Sequence, residues 1–472
     1  LSSAQNPPPS TPVTPAPSPL ELGPAYGTHY VPPAEPAASE PDAWESYRHD
    51  SARSGATPTV VPSALSMLWK RDLGGKLTAP VAAAGRVLVA ATDQHTLFCL
   101  NEADGATVWT FTAGGRIDSP PTIARNMVLF GSRDGACYCL NAADGELIWR
   151  FRAGPEDRRI GAFGQLESAW PVSGSVLVRD GVAYFAAGRS SFVDGGIIIY
   201  GLDIGSGLVR HRMDLVGPDP GDSTIQKSAG RMPGAVPDIL SCDGESLYLR
   251  HVRLPLDLAG SLKPVELGWG LKSNSHLLAA SGFLDDTLFN RTRWQYGNRM
   301  DRSQMLVFNG TQVYGLRVYS GISWNCSIHK TGEGYVIFKQ DIGKPVPPPP
   351  KGKPKLLNRI PHERYTWHTT VPARVRAMVL TGARQQSPEG ATAVPSSVLF
   401  VAGAPDEIDG DDPLAAFEGR KGARLLALSG TDGKTLSDTA LGGLPVWDGM
   451  IAYRNKLFIA QTNGTILSLG KR

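Results

Sequence analysis

The hydrophobic positions of this chain fall in short runs, not long stripes. "GRVLVAA", "NMVLFGS", "GVAYFAAG", "ESLYLRH", "QMLVFNG", "SVLFVAG" and "NKLFIAQ" are β-branched and aromatic, and each is bounded by Gly, Asp, Asn or Ser. Such runs predict strands separated by tight turns. No segment keeps an amphipathic helical period over ten residues. The pattern predicts an all-β fold.

Two of the runs sit in units that repeat. "LTAPVAAAGRVLVAATDQHTLFCLNEADGATVWTF" is followed by "IDSPPTIARNMVLFGSRDGACYCLNAADGELIWRF". Pro80 matches Pro120, Leu100 matches Leu140, Asp104 matches Asp144, and Trp109 matches Trp149, all 40 residues apart. A period of this length holding four short strands predicts a β-propeller blade. The "ADG" turn suits a two-residue hairpin, because Gly accepts positive φ. Trp109 and Trp149 are placed to cover apolar surface of the neighbouring blade. Later units diverge, and the last, "PVWDGMIAYRNKLFIAQTNGTILSLG", has only three strands. Its fourth is expected from "LSMLWKRDL", Leu65 to Leu73, so that first and last segments share a sheet and close the ring. The reading is one propeller over residues 44–472, of seven four-stranded blades. Eight is the alternative if the excursion around 262–298 hides one.

Residues 1–43 are Pro-rich and lack hydrophobic periodicity, which predicts an extended, disordered tail. "KPVPPPPKGKPK" predicts an exposed insertion at about 344–356. The chain begins without a basic or apolar leader, as a mature exported form would, with any signal peptide already removed.

Composition narrows the function classes. A net charge of +3 over 472 residues offers no nucleic-acid-binding stripe. No run approaches the twenty apolar residues a membrane span needs. The five cysteines form neither CxxC nor CxxCH, and an odd number precludes full pairing, so they read as small core residues. No GxSxG, HExxH, Walker or GxGxxG pattern occurs.

"LNAADGELIWRF" resembles the repeat of pyrroloquinoline quinone (PQQ)-dependent dehydrogenase propellers, a repeat that many proteins without the quinone also carry. "YRHDSARSG", "SAWPVSGSVLV", "AAGRSSFVDGG" and "SGFLDDTLFNRTRW" are similar to large PQQ-like repeat proteins of planctomycete-type bacteria. The resemblance covers roughly residues 44–470 and implies a propeller in an extracytoplasmic setting, without fixing an activity. In the dehydrogenases the quinone lies at the ring centre with Ca²⁺, a catalytic Asp, a stacking Trp and a vicinal Cys-Cys pair. This chain has no Cys-Cys dipeptide and no motif matching a calcium set. The expectation is no redox cofactor, with PQQ and Ca²⁺ as the alternative.

Loops that break the blade pattern are the candidate sites. The first, "PEDRRIGAFGQLESAWPVSG", offers Arg158, Arg159, Gln165, Glu167 and Trp170. The second, "AAGRSSFVDGG", offers Arg189, Ser190 and Asp194; Arg189 could grip a carboxylate or simply pair with Asp194. The third holds Asp285, Asp286, Arg291 and Trp294, a set that suits a saccharide contact or a structural Asp–Arg network. "YRHDSARSG", Tyr47 to Gly55, reads as an arm crossing the propeller face, held by ion pairs. The function expected is an extracytoplasmic module that binds a protein, a saccharide or a small polar ligand. A PQQ-dependent oxidoreductase and a carbohydrate-active propeller are the alternatives.

Overall fold

A computed structural model describes residues 18–27, 40–217, 234–250, 252–260, 263–264, 276–279, 282–284, 294–296, 303–317, 334–342, 365–382 and 397–471. Among these, seven antiparallel sheets hold four or more strands. We number them in chain order. Sheet 1 is Val81–Ala83, Arg86–Ala91, Thr96–Asn101 and Thr107–Thr112; sheet 2 is Thr122–Ala124, Met127–Gly131, Ala136–Asn141 and Leu147–Arg152. Sheets 3 to 6 begin at Leu177, Ser241, Met305 and Ala373. Sheet 7 combines Pro445–Tyr453, Lys456–Gln461 and Thr465–Gly470 with Ser66–Asp72 from the other end of the chain. The fold is a β-propeller, as the hydrophobic pattern predicts. The excursion around 262–298, on which the choice between seven and eight blades turns, lies largely outside the described residues, as does the insertion at 344–356.

The ring closes where the sequence places the closure. Ser66 to Asp72 pairs antiparallel with Gly470 to Thr465. The edge that a three-stranded last blade would expose is thereby covered.

The repeating tryptophan has a specific seat. Trp69 Nε1 donates to the Glu102 carbonyl (3.0 Å), Trp109 to Ala142 (3.1 Å), Trp149 to Ile204 (2.9 Å) and Trp367 to Gly430 (3.1 Å). In each case the acceptor lies in the turn between the third and fourth strands of the next sheet. The glycine of "ADG" serves this seat as well as the turn. A Cβ on Gly145, whose φ is +78°, would lie 2.6 Å from the Trp109 ring.

The first strands of neighbouring sheets pack on one another and surround the axis. Residues 43–59 pass the ends of these first strands. "YRHDSARSG" therefore runs against the C-terminal ends of the first strands, where Arg48 and Arg53 are buried. Trp44 pairs with Ala82 of sheet 1, and Ile123 N of sheet 2 donates to Glu45 O. Cys242 N of sheet 4 donates to Ser51 O, and Phe308 N of sheet 5 to Ser54 O. Thr57 N donates to Leu380 O of sheet 6. Sheet 7 contributes Asp448, which receives Arg48 Nη1 and the Tyr47 hydroxyl, each at 2.7 Å.

Arg48 also donates to the carbonyls of Arg53 and Leu306, and its guanidinium covers Trp294 at 4.9 Å. Arg53 is wholly buried and donates to the carbonyls of Leu240 and Tyr47. Burial lowers its guanidinium to about 10, so it stays charged at neutral pH.

The tail departs from expectation. Leu20–Leu22 is a strand added to the outer edge of sheet 2, because Leu20 and Ala25 supply apolar surface that the Pro-rich composition around them conceals.

Arg48→Ala should cost about 3–5 kcal/mol, because it leaves the Asp448 carboxylate buried without its cation. Urea unfolding midpoints of the two proteins measure this.

Candidate functional site

In an antiparallel four-stranded sheet, the second-to-third-strand loop lies at the same end as the crossing to the next sheet. That end of sheets 1 to 3 carries the largest departure from the repeat. Residues Arg159–Ala162 and Gln165–Ser168 form a separate hairpin in the crossing between sheets 2 and 3. Its turn is Phe163–Gly164, and both residues are left-handed (φ +52° and +73°). This is the geometry that a twisted two-residue hairpin requires.

The hairpin folds back over sheets 1 and 2. Gln165 Oε1 lies 2.7 Å from His95 Nε2. Glu167 is buried and receives Arg133 Nη1 at 3.1 Å, while Arg133 also pairs with Asp118. Burial alone would lower the Arg133 guanidinium, but Asp118 and Glu167 outweigh it and raise it above its ordinary value. Arg116 is held between Asp93 and Asp118. The guanidiniums of Arg116 and Arg133 lie 4.6 and 5.1 Å from the Phe163 ring. Cation–π contact fixes one face of that ring, and 70% of the residue remains exposed.

The base of the hairpin is latched to the second sequence motif. Asp194 receives Arg158 on Oδ1 and Arg189 on Oδ2, each at 2.5 Å. Its carbonyl accepts Trp170 Nε1 at 2.7 Å, and Arg158 covers the Trp170 ring at 4.9 Å. The hydrogen bond from Arg189 is the chief cause of an Asp194 carboxyl held below its ordinary value, with the Arg189 and Arg158 charges adding to it. Ser191 Oγ receives Ala235 N at 2.9 Å, and Ser190 Oγ receives Phe192 N at 3.2 Å. Two loops that look independent in sequence thus meet through one carboxylate.

Exposed apolar residues gather around this latch. Phe163 and Leu166 (67% exposed) stand on the hairpin, and Phe192 (53% exposed) and Val193 on the latched loop. Val216 and Val236 are exposed too; their neighbours Gly217 and Ala235 bond to Ser191. Sequence reading selected the charged residues here and passed over these apolar ones. The signal available was "GAFG", an aromatic between glycines in an otherwise polar hairpin. Arg159, also selected, is exposed and pairs with Asp157.

The third motif divides. Asp285, Asp286 and Arg291 lie outside the described residues. Trp294 is fully buried, edge-on to Phe283 at 5.3 Å and beneath Arg48. It is a wall of the buried core and presents no face to a sugar, which corrects the saccharide contact expected of it.

Among the described residues, the ring centre shows no donor set for a calcium–quinone pair. Residues 43–59 bond to the first strands of sheets 1, 2, 4, 5 and 6, and a cavity of 410 Å³ beside them is lined by Glu45, His49, Asp50, Arg53, Thr122 and Leu177 among others. Among the described residues no three His, Cys, Asp or Glu side chains gather as a metal site requires. Cys99, Cys137, Cys139 and Cys242 are buried free thiols; burial raises Cys99 to about 12, beyond reach as a thiolate at neutral pH. Cys326 lies outside the described residues.

Asp194→Asn should unlatch the hairpin, with Arg158 and Arg189 losing their shared charge. Both arginines are partly exposed, so global stability should move by less than about 1 kcal/mol. Tryptic cleavage after Arg158 and Arg159 should nevertheless quicken several-fold. In the parent chain the latch should hold from neutral pH down to about 4, the ordinary carboxylate value, and open below it as Asp194 protonates. Pepsin cleavage beside Phe163, as a function of pH, reads that opening.

Residues 65–231 match the family model described as outer membrane protein assembly factor BamB. A search of curated proteins gave no match. Among solved structures, the chain is similar to quinohemoprotein alcohol dehydrogenase from Comamonas testosteroni. The two are 13% identical, the alignment covers 92% of this chain and 82% of that one, and the TM-score is 0.51. It is also similar to a europium-containing methanol dehydrogenase (11% identity, 92% and 98% coverage, TM-score 0.49) and to BamB from Moraxella catarrhalis (10% identity, 87% and 98% coverage, TM-score 0.35). Likeness at these identities concerns the fold alone. Seated tryptophans and a shared first-and-last sheet make this chain a β-propeller, and its sheets 1 to 3 match a PQQ-type repeat model.

Proposed function

We propose that this propeller is an extracytoplasmic scaffold that docks a protein partner at the crossing end of sheets 1 to 3. One observation carries the reading. Phe163 and Leu166 are exposed on a hairpin whose pose is fixed at His95, Arg116, Arg133 and Asp194. Exposed aromatic and aliphatic side chains, ringed by arginines and held rigidly, have the make-up of an interface centre. Free apolar side chains on a mobile loop would lose ordering entropy on binding; a latched hairpin has already lost it. The match to an assembly-factor family supports a binding role and an extracytoplasmic setting. Among the described residues no helix is long and apolar enough to cross a membrane.

A photo-crosslinking residue at Phe163 should trap a discrete adduct in envelope extracts, whereas one at exposed Leu436 in sheet 6 should not. Leu166→Ser with Phe192→Ser should abolish the Phe163 adduct. Equal labelling from Phe163 and Leu436 would remove the case for this face. Adding PQQ and Ca²⁺ should leave the absorbance unchanged and produce no dye reduction; quinone binding at the axis would give both.

A further inference from the structure

Among the described sheets, sheet 2 alone receives a fifth strand. Leu20 pairs with Phe151, Glu21 with Arg150 and Leu22 with Trp149. Main-chain bonds continue past the strand on both sides. Arg152 N donates to Pro19 O (2.7 Å), Gly23 N to Ile148 O (2.8 Å) and Ala25 N to Leu147 O (3.1 Å). Residues 19–26 thus lie along the edge as an added strand does in peptide recognition by sheet augmentation.

Four positions read the segment. Leu20 packs into the seat where Trp149 meets Gly207 of sheet 3. Ala25 is fully buried in the core shared by sheets 2 and 3. Glu21 meets Arg150 at 3.1 Å, and Arg150 is steadied behind by Asp134 at 3.2 Å. Gly23 passes so close to sheet 2 that a Cβ there would fall 2.1 Å from the Leu147 carbonyl oxygen. The edge therefore selects an aliphatic, an acid, a glycine and a small residue at fixed spacing. The segment also completes a seat: Trp149 is fully buried, while Trp69, Trp109 and Trp367 remain 8–9% exposed.

The occupant is lightly held. Three residues pair in register, Leu22 faces solvent, and residues 28–39, which carry Pro32, Pro33 and Pro36, separate the segment from the ring. We infer that the outer edge of sheet 2 is a docking site for an extended acidic segment of the pattern Leu–Glu–Leu–Gly–Pro–Ala. Residues 19–26 are its resident ligand and mask it from a partner strand of the same chemistry. Tethering keeps the resident segment at high local concentration, so a free peptide competes poorly until the tether is lifted.

The probe is a fluorescein-labelled peptide of residues 17–28, added to the full chain and to its Gly23→Val variant, with anisotropy as the readout. Hydrogen exchange at Leu20–Ala25 reports whether the variant has released its own segment. The peptide should bind the variant at least roughly tenfold more tightly than the parent, as expected when a tethered competitor is removed. Adding Arg150→Glu should abolish that binding, and a peptide carrying Arg in place of Glu21 should restore it. Should Gly23→Val leave the segment in place, Ala25→Glu lifts it by burying a charge, and the same titration applies. No binding to a chain shown to be unmasked, or equal binding to masked and unmasked chains, overturns the inference. So does a resident segment that neither substitution releases, since that makes it a permanent fifth strand.

Discussion

A ring of radial sheets leaves its first strands facing an axis, and each of those strands is an edge with unpaired main-chain groups. In this protein the edges are met by the chain itself. Residues 43–59 pass the first strands of sheets 1, 2, 4, 5 and 6 in ring order, exchanging main-chain hydrogen bonds with each. Arg48 and Arg53 then bind groups that no single backbone segment could reach together. A guanidinium offers five donors in a rigid fork, so one side chain can join Asp448 of sheet 7 to Leu306 of sheet 5. Burying two such cations is costly. The cost is offset by Asp448 and several carbonyls, and those are correctly placed only when the ring is complete. Axis and ring therefore specify each other.

The path of this segment explains its unusual backbone. Arg48, His49 and Arg53 are left-handed, with φ of 56°, 80° and 61°, a conformation disfavoured for side chains of this kind. Sharp reversals let a short stretch turn both arginines onto the surrounding strands. Gly55 could carry no side chain, because a Cβ there would lie 2.7 Å from Val307. Strain of this sort persists where surrounding structure over-determines it.

Two surfaces depart from the repeating plan: the crossing end, where sheets 1 to 3 support the latched hairpin, and the outer edge of sheet 2. Both surfaces share a physical logic. Each presents a short segment on a rigid sheet and fixes it with an arginine bound to two acids. Arg133 lies between Asp118 and Glu167, and Arg150 between Glu21 and Asp134.

Much of the architecture is local in origin, which is why it is legible in one dimension. Strand runs, "ADG" turns and the 40-residue spacing of Trp109 and Trp149 come from contacts within a sheet or between adjacent sheets, and the sequence repeats them. Closure by Leu65–Leu73 could be read because a three-stranded remainder needs one more strand. The sites follow a different rule. Asp194 serves Arg158 and Arg189 together, and Phe163 is covered by arginines from two other loops. Arg48 and Trp294 lie 246 positions apart in the chain yet stack at the axis. Such contacts depend on which loops the ring brings to one end, and no local period encodes that. The chain alone determined a propeller and its closure. Only the tertiary structure decided that "YRHDSARSG" runs against the ends of the first strands, that Trp294 is buried and that Leu20 joins a sheet, because burial belongs to the assembled ring and not to any residue within it.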